Sequence, residues 1–420
     1  MTRLLSALCA LAALAAPALA QDGELVLTTS VPFLQIEPDS RASGMGMTGV
    51  AVADNAYAPF WNPAGLAGQE GTEVAFTHAP WLPALGADLS YNHISAKHGL
   101  GRAGTLGGHF TYFDLGRQIA TDESGTNIGP EDGFQSYEYA IGLSYGYPVT
   151  DKLSVGTGFR YVRSSLTGGF DVDGIGTTAG STFGVDLGAT YELPDVGLGQ
   201  SSVPTVALNL ANMGPGISYT DANDFPDAIP TTLRLGTALN TRLDDFNRVL
   251  VALDVNKVVV RPRRTQQVDE DGNPVLDRFG DPVFETEYDP LYKALFTSWQ
   301  TRTVSPGPSP DPQTNAPRNC DQRAAAAAAG ENVNNLCEEV SGLRSLTLGL
   351  GAEYWYNDLF ALRAGYFYED PNNGSRQFLT FGTGVRYSLV GVDISYIFAL
   401  EENSPLADQL RFSLLLNIPR

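Results

Sequence analysis

The stretch YEYAIGLSYGY, residues 137–147, alternates in polarity with a period of two. Its odd positions carry tyrosine, isoleucine or leucine, and its even positions carry glutamate, alanine, glycine or serine. Successive side chains of a β-strand point to opposite faces of the sheet, so the stretch predicts a strand with one apolar face and one small or polar face. The apolar face of such a strand can pack in a protein core or contact membrane lipid. The connections between the strands distinguish these two cases.

The same alternation recurs from residue 73 to the C-terminus. We count fourteen segments, at residues 73–80, 87–98, 104–115, 137–147, 153–163, 182–193, 204–212, 231–240, 248–257, 345–356, 359–368, 377–387, 391–398 and 409–418. Short turns such as 148–152 and 357–358 alternate with loops that are mostly long, namely 116–136, 164–181, 213–230 and 258–344. This arrangement is typical of a bacterial outer-membrane barrel. We therefore predict an all-β fold, a transmembrane antiparallel β-barrel of fourteen strands in the outer membrane, with both termini in the periplasm.

Charged residues test which face of the strands turns inward, because a lipid-facing charge near the bilayer midplane costs about 2–4 kcal/mol. On the alternation, ten charges fall on the face opposite the apolar side chains, and none falls on the apolar face of those strands. The ten are Glu138, Arg160, Asp186, Arg234, Asp254, Glu353, Arg363, Arg386, Asp393 and Arg411. Five are basic and five are acidic, so they could pair in a confined lumen, where an unpaired charge is expensive. We interpret them as a lumenal charge network.

The N-terminus has the features of a secretory signal peptide at residues 1–20. Arg3 precedes an apolar run, and Ala18-Leu19-Ala20 forms a small-x-small cleavage site. No other run approaches the ~20 apolar residues of a spanning helix. The mature chain would therefore begin at Gln21 and be exported.

Residues 21–70 precede the first strand and do not follow its alternation. They are rich in glycine, alanine and proline, and they contain the motif Trp61-Asn62-Pro63-Ala64. Small residues allow a backbone to approach a barrel wall closely. We predict that residues 21–70 form a hatch on the periplasmic side or in the lumen, and that residues 71–420 form the barrel.

The long insertion 258–344 has its own local signals. Two copies of an eight-residue unit span 269–284, and Asp289 followed by Pro290 predicts the cap and first residue of a short helix. The two cysteines of the mature chain, Cys320 and Cys337, both lie in this insertion, and an oxidising compartment favours a disulfide between them. No histidine lies near them, which argues against zinc.

Other patterns give little reason to expect chemistry. The formal net charge of −21 argues against nucleic-acid binding. The string Gly44-x-Gly46-x-x-Gly49 lacks the preceding strand of a dinucleotide site, and we expect no cofactor, metal or catalytic residue. Four histidines, His78, His93, His98 and His109, fall in the first three strands, where a metal or acid–base site is the alternative to ordinary wall residues.

Several stretches resemble the PorV family, the outer-membrane component of the type IX secretion system. The resemblance is carried by residues 31–46 (VPFLQIEPDSRASGMG), by 61–64 (WNPA), by 212–219, by 230–236 and by 351–366. It implies a fourteen-stranded barrel of the FadL type, in agreement with the strand count, and a protein that is not an enzyme.

The resemblance also implies partners. Members of the family are implied to bind the C-terminal signal domain of secreted cargo at the translocon and to deliver it to a cell-surface sortase complex, which attaches it to lipopolysaccharide. Long outer loops, above all 258–344, would supply a protein-sized docking surface among outer-membrane lipid and lipopolysaccharide. The alternative is a FadL-like channel for hydrophobic solutes such as long-chain fatty acids, which would need an apolar pocket and a path past the hatch.

Overall fold

The structure, a computed structural model, describes residues 29–83, 89–121, 125–127, 129–169, 177–220, 226–266, 275, 284–304, 325–330, 338–401 and 404–418. The predicted signal peptide and the proposed disulfide partners, Cys320 and Cys337, lie outside the described residues. Most of the repeat at 269–284 lies outside them as well.

Fourteen antiparallel strands close into a barrel, in which β1 pairs with the last strand and β9 pairs across the insertion with β14. The chain first forms β1 (Thr72–Trp81), β2 (Leu89–Gly99), β3 (Thr105–Gln118), β4 (Phe134–Pro148), β5 (Leu153–Ser165), β6 (Gly180–Glu192), β7 (Ser201–Met213), β8 (Thr232–Arg242) and β9 (Asn247–Val258). The insertion adds two hairpins outside the barrel sheet, β10 (Pro262–Gln266) with β11 (Phe284–Tyr288) and β12 (Arg302–Val304) with β13 (Glu338–Val340). The barrel resumes with β14 (Leu346–Tyr356), β15 (Phe360–Glu369), β16 (Gln377–Tyr387), β17 (Val390–Ala399) and β18 (Gln409–Ile418).

The polarity alternation places apolar side chains on the outer surface of the barrel. In β4, Leu143 is 73% exposed, whereas its neighbour Ser144 and the preceding Ala140 are buried. Large exposed apolar side chains on a strand surface of this extent require an apolar solvent, which for a closed barrel is the hydrocarbon of a membrane. The prediction of a fourteen-stranded antiparallel barrel is confirmed.

The two ends of the barrel differ in the length of their connections. Short turns, including residues 149–152, 243–246, 357–359 and 388–389, join strands at one end, which we call the short-turn end. Tight reversal there uses left-handed backbone at Asn357 and Asp358, with φ of 54° and 49°. Residues 119–133, 166–179, 214–231 and 259–345 join strands at the opposite, long-loop end. The start of β1 and the end of β18 pair with each other at the short-turn end.

Charged residues on the outer face, among them Asp114 and Arg163, correct the expectation that this face carries none. Asp114 lies on the face of β3 that also carries Phe110 and Tyr112, and Arg163 lies on the face of β5 that carries Phe159 and Tyr161. Both residues are near the long-loop ends of their strands, beyond the apolar band. The cost of a charge at the bilayer midplane therefore does not apply to them.

Residues 29–71, which we call the lumenal segment, contact barrel strands on several sides. The segment contains a 3-10 turn at Pro32–Gln35, helix α1 (Ser40–Ser43), helix α2 (Ala58–Trp61) and a second 3-10 turn at Pro63–Leu66. It bonds to β18 through Ser40, to β9 through Gly49 and to β7 through Trp61. A short segment that reaches such distant strands must lie inside the barrel.

Helix α3 (Leu291–Thr297) lies in the insertion together with its two hairpins. Its N-cap is Pro290, with extended backbone at ψ 151°, so the predicted cap by Asp289 is wrong. Asp289 instead accepts a hydrogen bond from Thr297 Oγ1 at 2.8 Å and pairs with Lys293 at 3.3 Å. None of the helices in the described ranges combines the length and the hydrophobicity needed to cross a membrane.

Candidate functional site

Glycines of the barrel wall allow the lumenal segment to approach β14 and β15 backbone to backbone. A Cβ on Gly365 would lie 2.0 Å from the nitrogen of Gly46, and one on Gly351 would lie 2.3 Å from the carbonyl oxygen of Met45. Gly46 itself has φ of 66°, a left-handed conformation that glycine adopts at little cost. The small residues of the segment and those of the wall therefore act together in holding the segment close.

Arg41 connects the lumenal segment to the barrel wall through a buried ion pair. Its Nε and Nη2 atoms donate to the two carboxylate oxygens of Glu353, each at 2.8 Å, and Nη1 donates to Asp54. Burial alone would lower the pKa of Arg41, but the carboxylates of Asp54 and Glu353 raise it well above the usual value. The guanidinium is therefore charged and held in a fixed, two-pronged geometry.

The ion pairs continue from Glu353 along the wall. Arg363 donates to Glu353 at 2.7 Å and to Asp393 at 2.8 Å, and Asp393 also accepts from Arg386 at 2.6 Å. Arg363 and Asp393 are fully buried, whereas the Arg386 side chain is 27% exposed. The chain of charges crosses β14, β15, β16 and β17 and ends at the lumenal segment.

The remaining predicted lumenal charges bind the segment or polar neighbours more often than they bind each other. Asp254 accepts the backbone N–H groups of Gly49 and Val50 at 2.7 and 2.9 Å. Arg234 donates to the carbonyl of Phe60 at 2.8 Å and lies 4.9 Å from the centre of its ring. These wall charges therefore serve as anchors for the segment.

Two wall charges remain, besides one pair that forms as expected. Arg160 pairs with Asp186, whose second oxygen accepts the N–H of Asn212 at 2.7 Å. Glu138 accepts a hydrogen bond from Ser164 at 2.8 Å. Arg411 donates to the carbonyl of Glu37, and its Nη1 lies 3.6 Å from the Glu37 carboxylate.

The motif Trp61-Asn62-Pro63-Ala64 forms the second turn of the segment against β6 and β7. Asn62 caps the 3-10 turn by accepting from the Ala64 N–H at 3.0 Å. Its amide donates, at 3.3 Å, to the carbonyls of Ala189 and Leu208 in the wall, and Asn209 donates back to Trp61 O at 2.8 Å. Asparagine suits this position because it can cap a turn and reach two strands at once.

Four hydroxyl groups connect the lumenal segment to the seam at which β1 meets β18. Tyr57 Oη lies 2.6 Å from Thr77 Oγ1, which lies 2.7 Å from Ser413 Oγ, which lies 2.8 Å from Ser40 Oγ. Thr77 and Ser413 are direct cross-strand partners. The segment therefore bonds to both strands of the seam. Next to Ser40, the carboxyl of Asp39 is buried, and its burial raises its pKa to about 6.

The four histidines form two pairs that differ in their surroundings. His93 and His109 are buried in the lumen with their rings stacked 5.7 Å apart, and His93 bonds to Thr111 at 2.8 Å. His78 and His98 face outward and bond to Asn92 and Thr72. In the part of the chain that the structure describes, no three metal-ligating side chains come together.

A cleft of about 410 Å³ opens at the long-loop end between the β7–β8 connection and the insertion. One wall carries Pro226, Ala228, Ile229 and the glycines 214 and 216, and the other carries Leu291 and Ala294 of α3. Val259 and Val260 line it where the chain leaves β9. The cleft therefore has apolar residues on both of its walls.

The edge of the cleft is acidic, and an exposed aromatic pair lies next to it. Glu287 and Asp289 line the cleft beside Tyr288, whose hydroxyl lies 3.4 Å from Asp227 across the opening. On α3, Tyr292 is 74% exposed and Phe296 is 76% exposed, four residues apart and hence on one side of the helix. Apolar walls, acidic edge and exposed aromatics together form a surface suited to a peptide or protein partner.

Sequence patterns identified the wall charges but not their partners. Arg41 is the single basic residue between positions 21 and 70, and a lone cation opposite several acidic wall positions was a signal that could have identified it. Nothing local in the sequence marks the cleft, because its walls come from two connections that are distant in the chain.

A comparison with known protein families identifies the family of this chain. The family described as "Type IX secretion system protein PorV" matches residues 19–265. No curated protein matches the chain. Among solved structures, the toluene transporter TbuX of Ralstonia pickettii is 16% identical, with 91% of this chain and 98% of that chain covered and a TM-score of 0.47.

Two further solved structures have similar values. The toluene transporter TodX of Pseudomonas putida is 15% identical, with 94% of this chain and 98% of that chain covered and a TM-score of 0.43. A Pseudomonas aeruginosa FadL homologue is 12% identical, with 94% and 99% covered and a TM-score of 0.42. The barrel architecture of the present chain rests on its own strand pairing.

Proposed function

Because this chain belongs to the PorV family of type IX secretion system proteins and forms an outer-membrane β-barrel, we propose that it binds secreted cargo at its long-loop end. The cargo element would be the C-terminal signal domain, taken up at the translocon and delivered to the cell-surface sortase complex. In this proposal the long-loop end faces the outside, both termini are periplasmic, and the chain carries out no catalysis.

The single observation that carries this proposal is the cleft at the long-loop end. Its apolar walls, from Ile229 on one side to Leu291 on the other, can bury apolar side chains of an incoming segment. Its acidic edge at Glu287 offers acceptors for backbone N–H groups or basic side chains. A protein domain that covers the cleft would also cover Tyr292 and Phe296, the aromatic types that are enriched at protein interfaces.

The filled lumen supports a docking function rather than a pore. Arg41, Asn62 and Tyr57 bond the lumenal segment to strands on different sides of the barrel, and buried charges occupy the space between. A water-filled conduit through these contacts would require several buried ion pairs to open at the same time, each at a cost of several kcal/mol. Binding on the outer loops requires no such opening.

Deletion of residues 262–342 tests the proposal directly. We expect the variant to lose copurification with cargo signal domains and to keep a folded barrel, which is measured by its resistance to unfolding in cold SDS. Unchanged copurification with the folded variant would count against the proposal.

Point variants distinguish binding at the cleft from binding elsewhere on the insertion. Leu291→Glu places a charge on the apolar wall, and we expect it to weaken binding of a purified signal domain at least tenfold. Leu198→Glu is the matched control, because Leu198 is 54% exposed on a turn at the short-turn end. Equal affinity of both variants for the signal domain would exclude the cleft as the docking site.

A second candidate function, uptake of a small hydrophobic solute, is favoured by the same cleft, whose volume is in the range of small-molecule sites. Binding of a long-chain fatty acid or an aromatic hydrocarbon to the purified barrel, abolished by Leu291→Glu, would support it. Binding of signal domain without binding of either solute would reject it.

A further inference from the structure

On the outer surface of β3, β4 and β5, the types of side chain follow the same order toward the long-loop end. Each strand carries an apolar side chain, then tyrosine, then a charged or polar residue. The series are Phe110, Tyr112 and Arg117 on β3, Ile141, Tyr139 and Gln135 on β4, and Phe159, Tyr161 and Arg163 on β5. Tyrosine collects where hydrocarbon meets lipid headgroups. Arg117 and Arg163 therefore lie at the level of the headgroups.

Both arginines are on the outer face of the barrel. Arg163 pairs across strands with Tyr139 on β4 and with Ser181 on β6. Between Asp114 and Arg117 the register of β3 against β4 shifts, so that Arg117 lies opposite Gln135. From strand spacing and rise, the two arginines are roughly 17 Å apart along the surface.

Neither guanidinium forms an ion pair with a residue that the structure describes. Arg163 Nη1 donates to Ser181 Oγ at 3.0 Å, and Arg117 Nη1 donates to the carbonyl of Asp132 at 2.6 Å. No carboxylate of a described residue lies within ion-pair distance of either one. The nearby carboxylate of Asp114 accepts hydrogen bonds at Oδ1 from the N–H of Gly116 at 2.9 Å and from the amide of Gln135 at 2.5 Å.

The aromatic rings between the arginines form a connected layer. Tyr112 and Tyr137 stack with centres 6.0 Å apart, Tyr137 and Tyr139 stack at 6.4 Å, and Tyr139 contacts Tyr161 at 6.3 Å. The hydroxyl of Tyr161 donates to Ser181 Oγ at 2.9 Å, beside Arg163. Two cations with unused donors thus flank a fixed layer of tyrosines.

We propose that this surface, defined by Arg117, Arg163 and the tyrosines between them, binds the phosphate groups of a membrane lipid. Guanidinium groups bind phosphate through paired N–H donors, and two cations without an ion-pair partner among the described residues attract an anion even in a chain of net charge −21. With the long-loop end outside, an orientation that belongs to the proposed function, the lipid is lipopolysaccharide, bound through its lipid A phosphates. The site does not involve the cargo cleft.

The full-length protein, purified in a neutral detergent and depleted of lipid, provides the test. Titration with lipid A, followed by native mass spectrometry, is expected to show binding that Arg163→Gln weakens about tenfold, Arg117→Gln weakens as well, and Arg163→Lys weakens less than Arg163→Gln. Arg102→Gln, which removes the same charge from an exposed position on a short turn, is expected to leave affinity unchanged.

Two further ligands separate phosphate recognition from general lipid adsorption. Dephosphorylated lipid A is expected to bind at least tenfold more weakly than lipid A. Equal affinity for it, or an equal loss in Arg102→Gln, would overturn the site. Tighter binding of phosphatidylglycerol than of lipid A would overturn the identity of the lipid. Copurification with cargo, measured on the same variants, is expected to be unchanged, so failure of this inference is distinguishable from failure of the cargo proposal.

Discussion

The hydroxyl oxygens of Ser40 and Ser413 lie 2.8 Å apart, although 373 residues separate them in the chain. Ser413 also bonds to Thr77 of β1, so that one serine connects the first strand, the last strand and the lumenal segment. Barrel closure depends on the pairing of β1 with β18. The lumenal segment therefore stabilises the seam from the inside.

Removal of this hydroxyl is expected to destabilise the barrel. Ser413→Ala leaves the buried hydroxyls of Ser40 and Thr77 with one partner fewer, at a cost of about 1–3 kcal/mol. Urea unfolding in detergent micelles measures the change. Ser395→Ala is the control, because Ser395 is equally buried but its hydroxyl has no hydrogen-bond partner among the described residues. Equal losses of stability in the two variants would show that the four connected hydroxyl groups do not stabilise the barrel through their hydrogen bonds.

Neutralising Glu353 is expected to weaken the attachment of the lumenal segment strongly. Glu353→Gln removes the shared partner of Arg41 and Arg363, and breaking a buried ion pair typically costs about 3–5 kcal/mol. Urea unfolding and protease cleavage within residues 29–71 report the effect.

A surface ion pair provides the control for the effect of Glu353→Gln on stability. Asp358 pairs with Arg248 at 3.4 Å on the short-turn end, where both side chains are at least one-third exposed. Asp358→Asn is expected to change stability by about 0–1 kcal/mol. A Glu353→Gln effect no larger than that of Asp358→Asn would contradict the role assigned to Arg41.

Adding a methyl group at Gly365 is expected to displace the lumenal segment. The new Cβ would lie 2.0 Å from the Gly46 nitrogen, and backbone atoms cannot move aside as a side chain can. We expect Gly365→Ala to lower stability by at least about 1–3 kcal/mol and to expose residues 29–71 to protease. Gly108→Ala is the control, because its Cβ would meet its nearest atoms at an ordinary 3.4 Å. A protease-resistant, fully stable Gly365→Ala would mean that the close approach is unimportant.

Asp39 predicts a pH dependence of stability. Burial raises the pKa of its carboxyl from 3.8 to about 6, so between pH 4 and 6 the folded state binds more protons than the unfolded state. Stability is therefore gained as pH falls from about 6 toward 4, and the charged carboxylate lowers it at pH 7 by up to about 3 kcal/mol.

Asp39→Asn tests this sign. Asparagine caps a helix as well as aspartate does and carries no charge, so the variant is expected to be more stable than the parent at pH 7 and equal to it near pH 4. Unfolding midpoints measured at pH 4, 5, 6 and 7 check this. Parallel pH curves for the two proteins would contradict the assignment to Asp39.

The sequence predicts the barrel well because the face to which a strand side chain points depends only on its position relative to its neighbours in the chain. The alternation at 137–147 needs only the neighbouring residues to place Leu143 outside and Ser144 inside, and the strand segments found on that basis correspond to the fourteen strands of the sheet. The charged wall positions follow from the same alternation.

The partners of those charges could not be predicted, because each depends on where a non-repetitive segment lies in three dimensions. Asp254 could have paired with a basic wall residue, yet it binds the N–H groups of Gly49 and Val50. Arg163 belongs by alternation to the apolar face but by depth to the membrane boundary, and alternation alone carries no information on depth. The cleft lined by Ile229 and Leu291 forms where two connections meet in space. The polarity alternation of the strands does not predict that contact.

The contacts of Ser40 and Glu37 with β18 bear on the order in which the protein matures. Their partners, Ser413 and Arg411, are synthesised 373 and 374 residues later in the chain. Residues 29–71 therefore cannot form their bonds to β18 until the thirteen preceding barrel strands have been synthesised. We expect a nascent or C-terminally truncated chain to keep this leading segment accessible to periplasmic chaperones and proteases, which gives the cell a means to distinguish finished barrels from unfinished ones.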